Sequence, residues 1–125
     1  MNKRSPEKKT EAQGFMTAMA ATFNFKAESV SFTNPPGLSG FNNPQSMWIN
    51  PSPGVVNGAG TYDVGPSSEQ VYMDFSMDEY TRPAVSGTIR FDEYDEGKLA
   101  KGNFDVELNE GVSVKGEFSL RQWVD

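Results

Sequence analysis

Four carboxylates crowd one turn in the last third of the chain: Asp92, Glu93, Asp95 and Glu96. A hard cation such as calcium takes roughly six to eight oxygen ligands, often from a single loop. The order Asp-x-x-Asp-Glu-Gly, however, lacks the alternating ligands and the distal Glu of an EF-hand. We interpret the segment as a solvated hairpin whose charges discourage edge-to-edge pairing. We expect no cofactor and no bound metal, and any metal would have to use Asp92, Asp95 and Glu96.

A second segment combines aromatic rings and amide side chains with an absence of charge. Residues 29–62 contain no charged side chain, and residues 34–60 are rich in Gly, Pro, Asn and Ser. Such a composition is typical of turns and loops. Aromatic rings beside amides suit sugars or uncharged peptides, through stacking and directional hydrogen bonds. The residues predicted to bind a ligand or partner are Phe41, Asn43, Trp48 and Asn50. The alternative is that Phe41 and Trp48 plug one end of the fold.

Catalytic chemistry has little support in the sequence. The chain has no Cys and no His, which removes thiol nucleophiles, His bases and nearly all zinc sites. Paired carboxylates can hydrolyse glycosides when a cleft sets their separation, but a sequence does not supply that separation. A GxSxG nucleophile elbow is also missing from the chain. We therefore predict a protein that is not an enzyme and has no catalytic residues.

The charge is unevenly distributed along the chain. The formal net charge is −6, yet residues 1–26 carry five basic and two acidic side chains. The acidic remainder argues against a nucleic-acid partner, which requires a basic surface. We expect residues 1–14 to be a disordered or extended basic leader, followed by a single domain over residues 15–125. The alternative is that residues 1–14 form an arm laid across a neighbouring subunit.

Three copies of one short sequence motif occupy the C-terminal part of the chain. Each has a small residue or Lys, a glycine, and then large apolar residues at alternate positions. The glycines are Gly87, Gly102 and Gly116. A period of two predicts strands with one buried face. The spacing leaves room for one strand and one turn per copy, which predicts an antiparallel three-strand meander.

The rest of the chain also favours β-structure. Val and Phe outnumber Leu and Ile, and these residues suit pleated surfaces. Alternating apolar residues predict strands near residues 23–27, 30–32 and 71–77, with shorter ones at residues 47–49 and 60–64. Prolines 44, 51 and 53 predict an edge position for the strand around Trp48. We predict an all-β fold: a small antiparallel β-sandwich or flattened barrel of about seven to eight strands.

Several motifs occur in an order that resembles a known family. They are Phe15-Met16-Thr17-Ala18, Gly60-Thr61-Tyr62-Asp63-Val64-Gly65, Val85-Ser86-Gly87-Thr88-Ile89-Arg90-Phe91 and Gly102-Asn103-Phe104-Asp105-Val106. This order looks like an uncharacterised family of small β-sandwich lipoproteins of Bacteroidota. The resemblance implies export and tethering in the bacterial cell envelope, periplasmic or at the outer membrane, through a lipidated Cys. This chain contains no Cys, so it has no residue for such an anchor. The resemblance implies a membrane contact only through a lipid anchor that the chain has lost.

Together these patterns predict a cell-envelope binding or interaction module. Its expected partner is another protein or a neutral glycan. The alternative is a structural subunit of a larger assembly, such as an appendage, phage or secretion particle, that uses residues 1–14 as its arm.

Overall fold

Ten β-strands make up most of the protein. The computed structural model describes residues 8–34, 36–52, 54–66, 70–77 and 81–123. The strands are β1 (Lys8–Met19), β2 (Asn24–Lys26), β3 (Ser29–Asn34), β4 (Gly37–Asn42), β5 (Gln45–Pro51), β6 (Gly60–Asp63), β7 (Val71–Ser76), β8 (Thr81–Asp95), β9 (Leu99–Leu108) and β10 (Ser113–Gln122). One 3₁₀ turn, Asn109–Gly111, joins β9 to β10. No helix in the described ranges is long and apolar enough to cross a membrane.

The sheet closes on itself into a barrel. Strands β1, β3, β4, β5, β7, β8, β9 and β10 are neighbours in that order, and β10 pairs back onto β1. In the closing pair, Ala12 lies opposite Gln122 and Met19 lies opposite Lys115. The two remaining strands are additions to this circuit, because β2 pairs with β1 and β6 pairs with β8. The all-β prediction is confirmed, whereas the sandwich alternative is wrong because a closed sheet has no second layer to pack against.

The interior is filled by the alternating apolar side chains of the barrel strands. Phe91, Phe104 and Phe118 form the part contributed by the C-terminal meander, and each is at most 3 % exposed. Strand β9 pairs with both β8 and β10 in antiparallel register, as the repeated sequence motifs predict. Residues 89, 91, 104, 106, 108, 118 and 120 all belong to one core cluster. The predicted meander and its core are therefore confirmed.

Two of the repeated glycines provide space for aromatic rings. Gly116 lies directly opposite Phe104, and Gly102 lies directly opposite Phe118. A Cβ on Gly116 would come within 2.5 Å of the Phe104 ring, and one on Gly102 within 3.1 Å of the Phe118 ring. The absence of a side chain lets each ring lie across the neighbouring strand, so these glycines have a structural role.

The uncharged segment 34–60 is part of the barrel wall. Strand β4 occupies residues predicted to be loop, and β5 lies between β4 and β7. The prediction of an edge strand around Trp48 is therefore wrong. The prolines bracket the strand, since Pro44 lies in the preceding turn and Pro51 is the last residue of β5. A proline at a strand end removes no hydrogen bond from the middle of the ladder.

The described residues reach close to both ends of the chain. Residues 8–14 belong to β1, so the expected boundary at residue 15 falls inside a strand. Residues 1–7 of the leader or arm predicted for residues 1–14 lie outside the described residues. Near the other end, Trp123 is 58 % exposed. It follows β10 and does not cover the core.

Candidate binding surface on the barrel wall

Strands β4, β5 and β7 place the predicted aromatic residues on the outside of the barrel. Met47 and Ile49 are fully buried, and the intervening Trp48 has the opposite orientation. The strand period of two puts Trp48 and Asn50 on the same outer face. Phe41 on β4 also lies on that face, because its partner in the register is Ser46. The hypothesis that Phe41 and Trp48 plug the end of the fold is therefore wrong.

The rings of Phe41 and Trp48 form one aromatic unit. Their centroids are 5.4 Å apart and their planes are almost perpendicular, at 89°. Such an edge-to-face arrangement is favourable for aromatic pairs. Ser39 belongs to the same face and is directly opposite Trp48 in the register. Ser39 is fully buried, and its Oγ has no hydrogen-bond partner among the described residues.

A shallow depression adjoins the aromatic unit. It is lined by Trp48, Asn50, Asp74 and Thr81, and its volume is about 280 Å³. Strand pairing explains how these residues meet, because Trp48 lies opposite Asp74. A Cβ on Gly37 would lie 3.0 Å from Asn50 Oδ1, so this glycine leaves room for the Asn50 amide. The depression therefore presents an indole ring, an amide, a carboxylate and a hydroxyl together.

Tyr72 extends this surface along β7. It lies opposite Asn50 in the register and is 37 % exposed. Burial, and then the negative charge of Asp74, raise the pKa of Tyr72 above its usual value of 10.0. The phenol therefore keeps its proton at neutral pH and can donate a hydrogen bond. We call the set of Phe41, Trp48, Asn50, Tyr72 and Asp74 the wall patch.

The wall patch contains three of the four residues predicted to bind a partner. The fourth, Asn43, is exposed in the turn between β4 and β5 and does not line the depression. Tyr72 and Asp74 were not predicted from the sequence to bind a partner. A usable pattern was present, because Tyr72 interrupts the alternation of apolar and polar residues in β7. An aromatic residue at an outward position is the pattern that would have identified it.

The acidic turn does not assemble a metal site in the described part of the chain. No group of three or more acidic residues there is arranged to hold an ion, so Asp92, Asp95 and Glu96 do not converge. Asp92 Oδ1 instead lies 3.1 Å from Arg90 Nε in an exposed ion pair. Such pairs add little stability.

Comparisons with family models, curated proteins and solved structures gave no match to this chain. The function of this chain is therefore inferred from the geometry of its own residues.

Proposed function

We propose that this protein is a non-enzymatic binding module of the bacterial cell envelope, and that its wall patch binds a neutral glycan. The observation that carries the proposal is the half-buried Trp48 ring, held edge-on to Phe41 beside the Asn50 amide and the Asp74 carboxylate. An aromatic face next to polar groups matches a sugar ring, which has apolar C–H faces and hydroxyl edges.

Together, the polar groups of the wall patch offer a ligand both hydrogen-bond donors and hydrogen-bond acceptors. The Asp74 carboxylate only accepts, the Tyr72 phenol donates and accepts, and the Asn50 amide does both. Sugar hydroxyls also donate and accept, so this mixture can bind several of them. The strands fix these positions, which lowers the conformational entropy that a ligand must restrict on binding.

Charge supports a neutral partner. Asp74 is the one charged residue of the wall patch, since residues 29–62 carry no charge, and the protein as a whole has a net charge of −6. A neutral glycan avoids the repulsion that an anionic polymer meets, and it loses less solvation than a charged ligand when it docks. The envelope location follows from the resemblance to exported lipoproteins and is part of the same proposal.

The proposal is tested by electrophoresis in native gels that contain dextran, laminarin, xyloglucan or glucomannan. We expect at least one of these polysaccharides to retard the wild-type protein. Trp48→Ala should weaken that binding by roughly tenfold or more, since an aromatic anchor contributes about 1–2 kcal/mol or more. The loss should come with an unchanged circular dichroism spectrum.

The chain supplies a matched control in its second tryptophan. Trp123 is exposed and lies outside the wall patch, so Trp123→Ala should be retarded like the wild type. Equal loss in both variants, or retardation by none of the four polysaccharides, would contradict the glycan proposal. If Trp48→Ala unfolds the protein, Asn50→Ala tests the same surface with a smaller change.

A further inference from the structure

One mouth of the barrel contains a cavity that is separate from the wall patch. It has a volume of about 490 Å³, which is within the range of about 300–1,000 Å³ found for small-molecule sites. Phe75 and Leu108 are almost fully buried at its base, and Phe23, Met77 and Val112 are partly buried around it. The interior of an eight-stranded barrel is either filled by side chains or holds one small ligand, and this cavity lies where the filled core ends.

A cation lines the cavity beside these apolar side chains. Arg82 lies directly opposite Phe75 in the pairing of β7 with β8, and Ala84, two residues further along, is fully buried. Arg82 therefore occupies an inward-facing position at the start of β8. Neither of the two ion pairs formed between described residues includes Arg82. An arginine on an apolar interior face indicates a ligand with the opposite charge.

Three further polar residues line the mouth of the barrel. Gln45 donates a hydrogen bond from Nε2 to the Met77 carbonyl at 3.1 Å. Thr22 and Glu110 complete the polar lining. Glu110 is exposed to solvent, so water screens its charge more effectively than that of the half-buried Arg82. Among the described residues that line the cavity, the Arg82 guanidinium is thus the stronger electrostatic determinant.

We propose that this mouth binds a small amphiphile with a carboxylate head and an unbranched apolar body, such as a medium-chain fatty acid. The carboxylate lies on the Arg82 guanidinium, whose planar fork matches two carboxylate oxygens. The apolar body enters between Phe23, Met77 and Val112 and displaces water from the surface above Phe75.

The experiment is a calorimetric titration with decanoate below its micellar concentration, alongside decanol and decyltrimethylammonium. We expect saturable binding of decanoate, with decanol at least roughly tenfold weaker because it lacks the charge that pairs with the guanidinium. The cationic amphiphile should bind still more weakly. Arg82→Gln should reduce decanoate affinity to that of decanol, and Glu110→Gln should increase decanoate affinity.

Two bulky substitutions test whether decanoate binds in the cavity or elsewhere on the surface. Val112→Trp fills the mouth and should abolish decanoate binding. Val85→Trp, at an exposed position on β8 that does not line the cavity, should leave it unchanged. Trp48→Ala should also leave it unchanged, which separates this proposal from the glycan proposal. The inference is overturned if decanoate does not saturate, if decanol binds equally well, or if folded Arg82→Gln retains wild-type affinity.

Discussion

Glu110 has a left-handed backbone conformation that glycine would adopt more easily. Its φ is 66° and its ψ is 20°, and it is the only non-glycine residue in the described part of the chain with positive φ. An L-residue loses about 1–2 kcal/mol in this conformation. Such strain is often found at functional sites, and Glu110 lines the barrel mouth.

Relief of this strain should stabilise the protein. Because glycine has more conformational entropy to lose on folding, we expect Glu110→Gly to raise the free energy of unfolding by only about 0.5–1 kcal/mol. Urea denaturation measures the change. The matched control is Glu117→Gly in the regular part of β10, which should destabilise the protein. A loss of stability in Glu110→Gly would contradict the assignment of strain to this residue.

Tyr94 gives the protein a predicted sensitivity to alkaline pH. Its ring packs against Phe91 with centroids 4.9 Å apart. Burial, followed by the charges of Glu96 and Asp95 and the neighbouring Tyr62, raises the pKa of Tyr94 from 10.0 to about 12. Between these two values the unfolded chain has released the proton and the folded chain retains it. The free energy of unfolding therefore falls as pH rises through this window.

Replacing the phenol should remove this contribution. We expect Tyr94→Phe to lose less stability than the wild type as pH rises from 10 to about 12, since Phe has no proton to release. Below pH 10 the contribution of the raised pKa is fully present in the wild type. Urea denaturation at several alkaline pH values compares the two slopes. Parallel slopes in the two proteins would contradict the interpretation.

At the scale of elements, the C-terminal meander was predictable because the residues of each strand and turn indicate their own conformation. Each strand carries its own alternation, each turn has acidic or glycine-bearing residues, and the glycines repeat at similar intervals. Segment 34–60 was not predictable in the same way. Its Gly, Pro and Asn residues favour turns locally, but β4 is stabilised by pairing with β3 and β5. Tertiary pairing there outweighs local preference.

Phe104 tests the packing of the meander directly. It is 3 % exposed, lies across Gly116, and its ring centroid is 6.0 Å from that of Phe75. We expect Phe104→Ala to lower the free energy of unfolding by about 3–5 kcal/mol, because it removes aromatic burial and leaves a cavity. The control is Phe15→Ala on β1, where the ring is 39 % exposed and the loss should be much smaller. Equal losses would contradict the core assignment.

At the scale of the whole molecule, barrel closure depends on a contact between distant parts of the chain. Strands β1 and β10 lie near opposite ends of the sequence, and neither strand specifies its partner locally. The sequence therefore supported both a sandwich and a barrel, since both have alternating buried residues. Closure also completes the barrel mouth, because Phe23 follows β1 whereas Val112 precedes β10, and both residues line the cavity.

The wall patch was partly predictable for a related reason. Composition identified Phe41, Trp48 and Asn50, which lie in one uncharged segment. Tyr72 and Asp74 come from β7 and meet that segment only through sheet register. Register cannot be assigned before the neighbouring strands are known, and a shift of one residue would turn every side chain to the other face.

The two tryptophans allow the central claim to be tested in one measurement. The chain has only Trp48 and Trp123, so a ¹⁵N-labelled sample gives two indole N–H resonances, which the Trp123→Ala variant assigns. The sample is titrated with an oligosaccharide of the polysaccharide that retards the protein in native gels. We predict that the Trp48 resonance shifts to saturation while the Trp123 resonance stays in place. A saturable shift of Trp123 with Trp48 unmoved would contradict the wall patch as the glycan-binding surface.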